Sequence, residues 1–150
     1  MKILTFWRMS YQEKTIFFIN FCLCGLAKMA TQCLSYQRLV PYFGKSCQML
    51  LASTLISKAQ MVQVLSIRRN VHLAARYTPW DSNCLTQTMV AKFWCQHHKI
   101  PYLFFIGFPK QHHPLSGRNA HAWIMAGPIA ITGGDCLDTH HILCSYTNAH

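Results

Sequence analysis

Asp81-Ser82-Asn83-Cys84-Leu85-Thr86-Gln87-Thr88-Met89-Val90-Ala91-Lys92-Phe93-Trp94-Cys95 is the stretch on which the fold turns. It follows a break at Thr78-Pro79-Trp80, opens on residues able to cap a helix, and runs on through good helix formers. Leu85, Met89 and Phe93 recur at four-residue steps with Val90 and Trp94 beside them. That spacing predicts a helix with a wide buried stripe, the central helix of the fold, with Cys84 at or just inside its first turn.

Downstream, Pro101 introduces Tyr102-Leu103-Phe104-Phe105-Ile106-Gly107-Phe108, a continuous apolar run with the length and composition of an internal strand. A polar loop over 109–119 follows, then two short strand-like runs, Ala120 to Ala126 and Ile129 to Thr132, separated by Gly127-Pro128 and ended by Gly133-Gly134. Upstream, residues 11–39 lack proline and read as helical up to Pro41 and Gly44; residues 46–76 read the same way. There Leu51, Leu55, Met61, Val62, Leu65, Val71 and Ala75 suit packing on another layer, while Lys58, Arg68, Arg69 and Arg76 form a solvated face. The expectation is an α+β fold in one domain over 1–150: a helical N-terminal part (1–78), then a core (79–150) in which the nucleophile-bearing helix packs on a small antiparallel sheet.

Composition sets the outer bounds. Of 150 residues, 51% are apolar and 12% charged, so one compact core is affordable and disorder is excluded. The formal charge is +10, with only Glu13, Asp81, Asp135 and Asp138 acidic. A basic surface attracts anions without choosing among them. The basic residues are scattered rather than clustered with exposed aromatics, so nucleic acid is not an expected partner. Eight dispersed cysteines without a credible export signal point to a reduced, cytoplasmic protein. The apolar run Ile16 to Ala27 is shorter than the ~20 residues that span a bilayer and reads as a buried helix, with membrane-surface attachment as the alternative.

Cys84 stands where a thiol nucleophile is best placed, because unpaired amides at a helix start favour a thiolate; the competing reading is a small apolar core residue. His121 sits between Ala120 and Ala122 in a strand-like run and reads either as a core histidine or as a base. Register bears on that choice. If Gly127-Pro128 is a hairpin turn, partner numbers sum to about 255 or 256, which sets residue 134 or 135 opposite His121. Asp135, one of only four acids, is there. Its other reading is a structural acceptor of amide hydrogen bonds after Gly133-Gly134. Together Cys84, His121 and Asp135 would be nucleophile, base and orienting acid for acyl transfer, a set that needs neither metal nor cofactor. Structural zinc is disfavoured: His97-His98, His112-His113 and His140-His141 lie near Cys95, Cys136 and Cys144, yet no C-x-x-C or H-E-x-x-H occurs, and adjacent strand histidines face opposite ways.

The chain resembles the leader peptidases of lasso-peptide biosynthesis in their stand-alone B-protein form, which are similar to transglutaminase-like and papain-like cysteine peptidases. The resemblance rests on the helical opening near Phe6-Trp7-Arg8, on Ala74-Ala75-Arg76-Tyr77-Thr78-Pro79-Trp80, on the Cys84-Leu85 helix start, on the strand reaching Ile106-Gly107, and above all on His121-Ala122-Trp123. Gln87-Thr88 and Met125 depart from residues common in that family. The resemblance implies a cysteine peptidase with Cys84, His121 and Asp135 as its triad, removing the leader of a ribosomally made precursor peptide. Its implied partners are that precursor, a small separate leader-recognition protein, and an ATP-dependent macrolactam synthetase that closes the ring. An amidase or acyltransferase with the same triad, and a catalytically silent peptide-binding adaptor at a membrane surface, are the rival readings.

Overall fold

The computed structural model describes residues 10–47, 55–110, 120–134 and 136–148. The elements are α1 (Tyr11–Cys33), α2 (Tyr36–Phe43), β1 (Lys45–Ser46), α3 (Lys58–Tyr77), α4 (Cys84–His97), β2 (Leu103–Pro109), β3 (His121–Ala126), β4 (Ile129–Thr132), α5 (Cys136–Thr139) and β5 (His140–Thr147). The strands form one antiparallel sheet in the order β1-β5-β2-β3-β4. The expected α+β layout is what forms.

Local chemistry explains where the helices start. Ser10 with Glu13, and Ser57 with Gln60, form reciprocal capping boxes at α1 and α3. Asn83 caps α4 by accepting from the Thr86 amide at 3.0 Å, which makes Cys84 the first helical residue. At the other end of α4, Lys99 takes a positive φ of 53°, and the amides of Lys99 and Ile100 return to the carbonyls of Gln96 and Cys95.

Several expectations change in the helical part. The predicted helix over 11–39 is two, broken at Leu34-Ser35, and Pro41 lies inside α2 rather than ending it; the chain turns at Gly44, with φ of +129°. Of the helix expected over 46–76, residues 48–54 with Leu51 lie outside the described residues, Ser46 belongs to β1, and α3 carries the buried stripe Val64, Ile67, Val71 and Ala74. Leu55 lies before α3 and is exposed; Val62 and Leu65 are exposed because a helical stripe of alternating three- and four-residue steps admits only one of the two apolar sets in α3. Nor is α1 a buried helix. Phe17, Asn20, Cys24 and Ala27 are buried and Leu23 and Ala30 pack partly against the core, while Phe18, Ile19, Leu26 and Met29 are exposed. In α4 the inward face carries Thr88, Ala91 and Cys95, so Leu85, Met89 and Phe93 flank the contact instead of filling it. Small residues there let the helix lie close to the sheet. The basic residues of α3 are exposed, as expected.

The sheet follows its predicted register. Ala126 pairs with Ile129 and Met125 with Ala130; a bulge then shifts the pairing to Ile124 with Thr132, so the partner sum moves from 255 to 256. Gly127 supplies the positive φ (+55°) that a two-residue hairpin needs at its first central position. One side of the sheet, with Phe104, Ile106, Ala122, Ile124, Ala126 and Ile131, packs against the helices. The other side holds a smaller cluster of Leu103, Phe105, Trp123 and Cys136.

Candidate functional site

Cys84 begins α4 and is half-buried. Its own amide and that of Leu85 have no acceptor among the described residues, as expected for a helix start whose cap serves Thr86. Nearby, Gln87 Nε2 donates to the Ser82 carbonyl at 2.7 Å, bracing the turn before the helix. One turn on from Cys84, the Thr88 hydroxyl donates to the Ala122 carbonyl at 3.1 Å and meets the Thr132 hydroxyl at 2.8 Å. Residues four apart share a helix face, so the face that carries Cys84 is the one pinned to β3 next to His121.

His121 opens β3 and pairs with Gly107 of β2. A side chain at Gly107 would collide with the His141 carbonyl and with the Trp123 ring, so only glycine lets that indole lie over the strand. The His121 ring meets the His140 ring edge-on at 4.9 Å between centroids, and Trp123 lies 6.0 Å from His140. Strand alternation thus sets His121 with Trp123, on the side away from Ala122 and Ile124. No hydrogen bond joins Cys84 and His121 among the described residues. The helix that carries Cys84 packs on the side of the sheet with Ala122, tied there by Thr88, whereas the His121 ring lies on the other side with His140 and Cys136.

Asp135 lies outside the described residues. Its neighbours are defined: Gly133 has φ of +62° and sits so close to Trp123 that a Cβ would come within 2.7 Å of the Trp123 Cβ, and the Cys136 amide donates to the Gly133 carbonyl at 3.0 Å. The segment leaving β4 therefore runs beside Ala122 and Trp123, one residue on from His121.

Sequence reasoning missed two members of this neighbourhood. One donor atom each from His121, Cys136 and His140 lies within 4.8 Å of the others. Opposite orientation of adjacent strand histidines excludes chelation by a pair, but leaves one member of each pair able to join residues from elsewhere; that was the available signal. His140 is held below the ordinary histidine range by burial and by the neighbouring His121, partly opposed by a hydrogen bond to the Cys136 backbone. Elsewhere, burial pushes the Cys95 thiol up to about 12, so it is an inert core cysteine. None of the eight cysteines forms a disulfide. The clefts among the helices, one lined by Asn20, Ile67, Asn70 and Trp94 and another by Leu34, Tyr42, Met89 and Phe93, include neither Cys84 nor His121.

A half-buried thiol beneath open amides, beside a strand that begins with a histidine, is equipped for nucleophilic attack on a carbonyl. The sequence model described as the transglutaminase-like superfamily matches residues 27–142, from within α1 to within β5. No curated protein and no solved structure matches the chain.

Proposed function

Because the chain belongs to the transglutaminase-like superfamily, whose members usually act through a catalytic cysteine, we propose that it is a cysteine peptidase that removes the leader from a ribosomally synthesised lasso precursor peptide. The observation that carries this reading is Cys84 at the first position of a helix whose next turn is bonded to the residue after His121. Cys84 is the nucleophile, His121 the base and Asp135 the group that orients the imidazole. Open amides at the start of α4 suit a developing oxyanion.

The chemistry proceeds by two transfers. His121 takes the Cys84 proton, and the sulfur attacks the scissile carbonyl carbon. The C–N bond then breaks as the imidazolium gives its proton to the leaving amine, which is the new amino terminus of the core peptide. Water, deprotonated by His121, attacks the thioester; the C–S bond breaks and the leader departs as a carboxylate.

A separate leader-recognition protein delivers the precursor to this chain, and an ATP-dependent macrolactam synthetase consumes the freed amine. The protein works in the cytoplasm, at a membrane surface. The helix α1 is, by length and composition, long and apolar enough to cross a membrane, and its exposed Phe18, Ile19, Leu26 and Met29, with a net charge of +10, suit contact with anionic lipid. The test is to mix the protein with precursor and recognition protein and follow product masses. Cys84→Ala and His121→Ala should each lower cleavage at least about a thousandfold, and Asp135→Asn severely but less completely. Unaltered processing by Cys84→Ala would end the reading, and products carrying an added amine rather than water would identify an acyltransferase.

A further inference from the structure

The side of the sheet that bears His121 holds more donor atoms than peptide hydrolysis uses. A ring nitrogen of His121, a ring nitrogen of His140 and the sulfur of Cys136 lie within 4.8 Å of one another. His140 Nδ1 is engaged by the Thr139 hydroxyl at 2.8 Å, which leaves Nε2 as its free donor. That Nε2 is buried and has no hydrogen-bond partner among the described residues. A buried nitrogen left so costs stability, and its lone pair is the kind a metal ion takes up.

Two imidazoles and one thiolate are the donor set of a borderline-soft divalent cation. Zinc binds sulfur at about 2.3 Å and nitrogen at about 2.0–2.1 Å, which sets neighbouring donors roughly 3.5 Å apart. Side-chain rotations that move each donor by about an ångström would close the set to that spacing.

The geometry points to a zinc site formed by His121, Cys136 and His140, with a fourth position open. On binding, the Cys136 thiol proton passes to water as the metal–sulfur bond forms, and no oxidation is involved. The Thr139 hydroxyl fixes the His140 ring with Nε2 toward the ion. Zinc on His121 occupies the lone pair that a base requires, so the ion reversibly silences the enzyme. That consequence rests on the peptidase reading; the binding does not.

The full-length protein, reduced and freed of metal, is titrated with Co²⁺. About one equivalent should bind with a sulfur-to-cobalt charge-transfer band and the visible bands of a tetrahedral site, displaced by Zn²⁺. Cys136→Ser should abolish the charge-transfer band, and His140→Ala should weaken binding at least about tenfold, whereas His98→Ala should change neither. Absence of the band from the unaltered protein, or its persistence in Cys136→Ser, would overturn the site. Should those variants fail to fold, X-ray absorption on the zinc-loaded unaltered chain decides: one sulfur neighbour supports the site, and a shell of nitrogen and oxygen alone overturns it. Cys84→Ala should bind zinc normally while cleaving nothing. Zinc that binds with the sulfur signature yet leaves leader cleavage undiminished would overturn His121 as base and leave the metal site standing.

Discussion

On the side of the sheet covered by the helices, the polar groups that face the sheet are paired, and among the described residues the Trp80 indole against α1 is the exception. Thr88 meets both the Ala122 carbonyl and Thr132, Tyr102 donates to the Phe43 carbonyl, and the Trp94 indole donates to Asn20. On the other side, Trp123 Nε1 and His140 Nε2 are buried without partners among the described residues. The first side contributes stability through close packing and paired hydrogen bonds. The second holds unanswered donors and lone pairs around a histidine, the sort of local inconsistency that function maintains against folding. Substitutions on the two sides should therefore separate fold from chemistry.

The largest expected loss of stability comes from truncating the helix-covered side. Phe104 is fully buried and stacks on Phe43 at 4.6 Å between centroids, joining α2 to β2. Phe104→Ala should cost about 3–5 kcal/mol in urea unfolding. A loss under about 1 kcal/mol would mean that α2 does not pack there.

Alkali tests the same side by a comparable amount. The Cys95 thiol is raised from 9.0 to about 12 by burial, and burial raises Tyr102 as well, with the Cys95 charge adding to it. Above pH 9 the unfolded thiol loses its proton while the folded one keeps it, so the stabilisation present below 9 drains away as pH approaches 12. The loss should reach about 4 kcal/mol from this group, and Cys95→Ala should flatten the alkaline limb of a stability profile. An unchanged limb would show that Cys95 is not held neutral.

Smaller effects sharpen the contrast. Thr88→Val keeps the shape but strands the Ala122 carbonyl and Thr132, and should cost about 1–3 kcal/mol. It should also loosen α4 from β3, lowering activity beyond what the stability loss explains. Trp123→Phe, on the other side, removes an indole N–H that has no acceptor among the described residues, which offsets part of the lost volume; a cost below about 1.5 kcal/mol is expected. If Trp123→Phe proved the costlier of the two, the division between the sides would fail.

What could be read from the sequence was local. The cap at Asn83, the apolar run of β2, and the Gly127-Pro128 hairpin each announce themselves within a few residues, and they carried the layout and the β3–β4 register with them. What could not be read was non-local. β5 pairs with both β1 and β2, contacts with residues about 100 and about 40 positions away, and no element was read beyond Gly133-Gly134. For the same reason His140 and Cys136 went unseen as neighbours of His121, although α5 and the first residue of β5 bring them there. Solvent exposure was also misjudged: hydropathy marks α1 as apolar but does not say which of its faces finds a partner.

Cys84 as a nucleophile activated by His121 is tested most directly, and without substrate, by alkylation rates. At neutral pH, iodoacetamide should modify Cys84 well before the core thiol Cys95 and the strand thiol Cys144, with site occupancy followed by peptide mass, and His121→Ala should slow Cys84 at least about tenfold. A Cys84 no faster than Cys144, or one whose rate is indifferent to His121, would contradict the account.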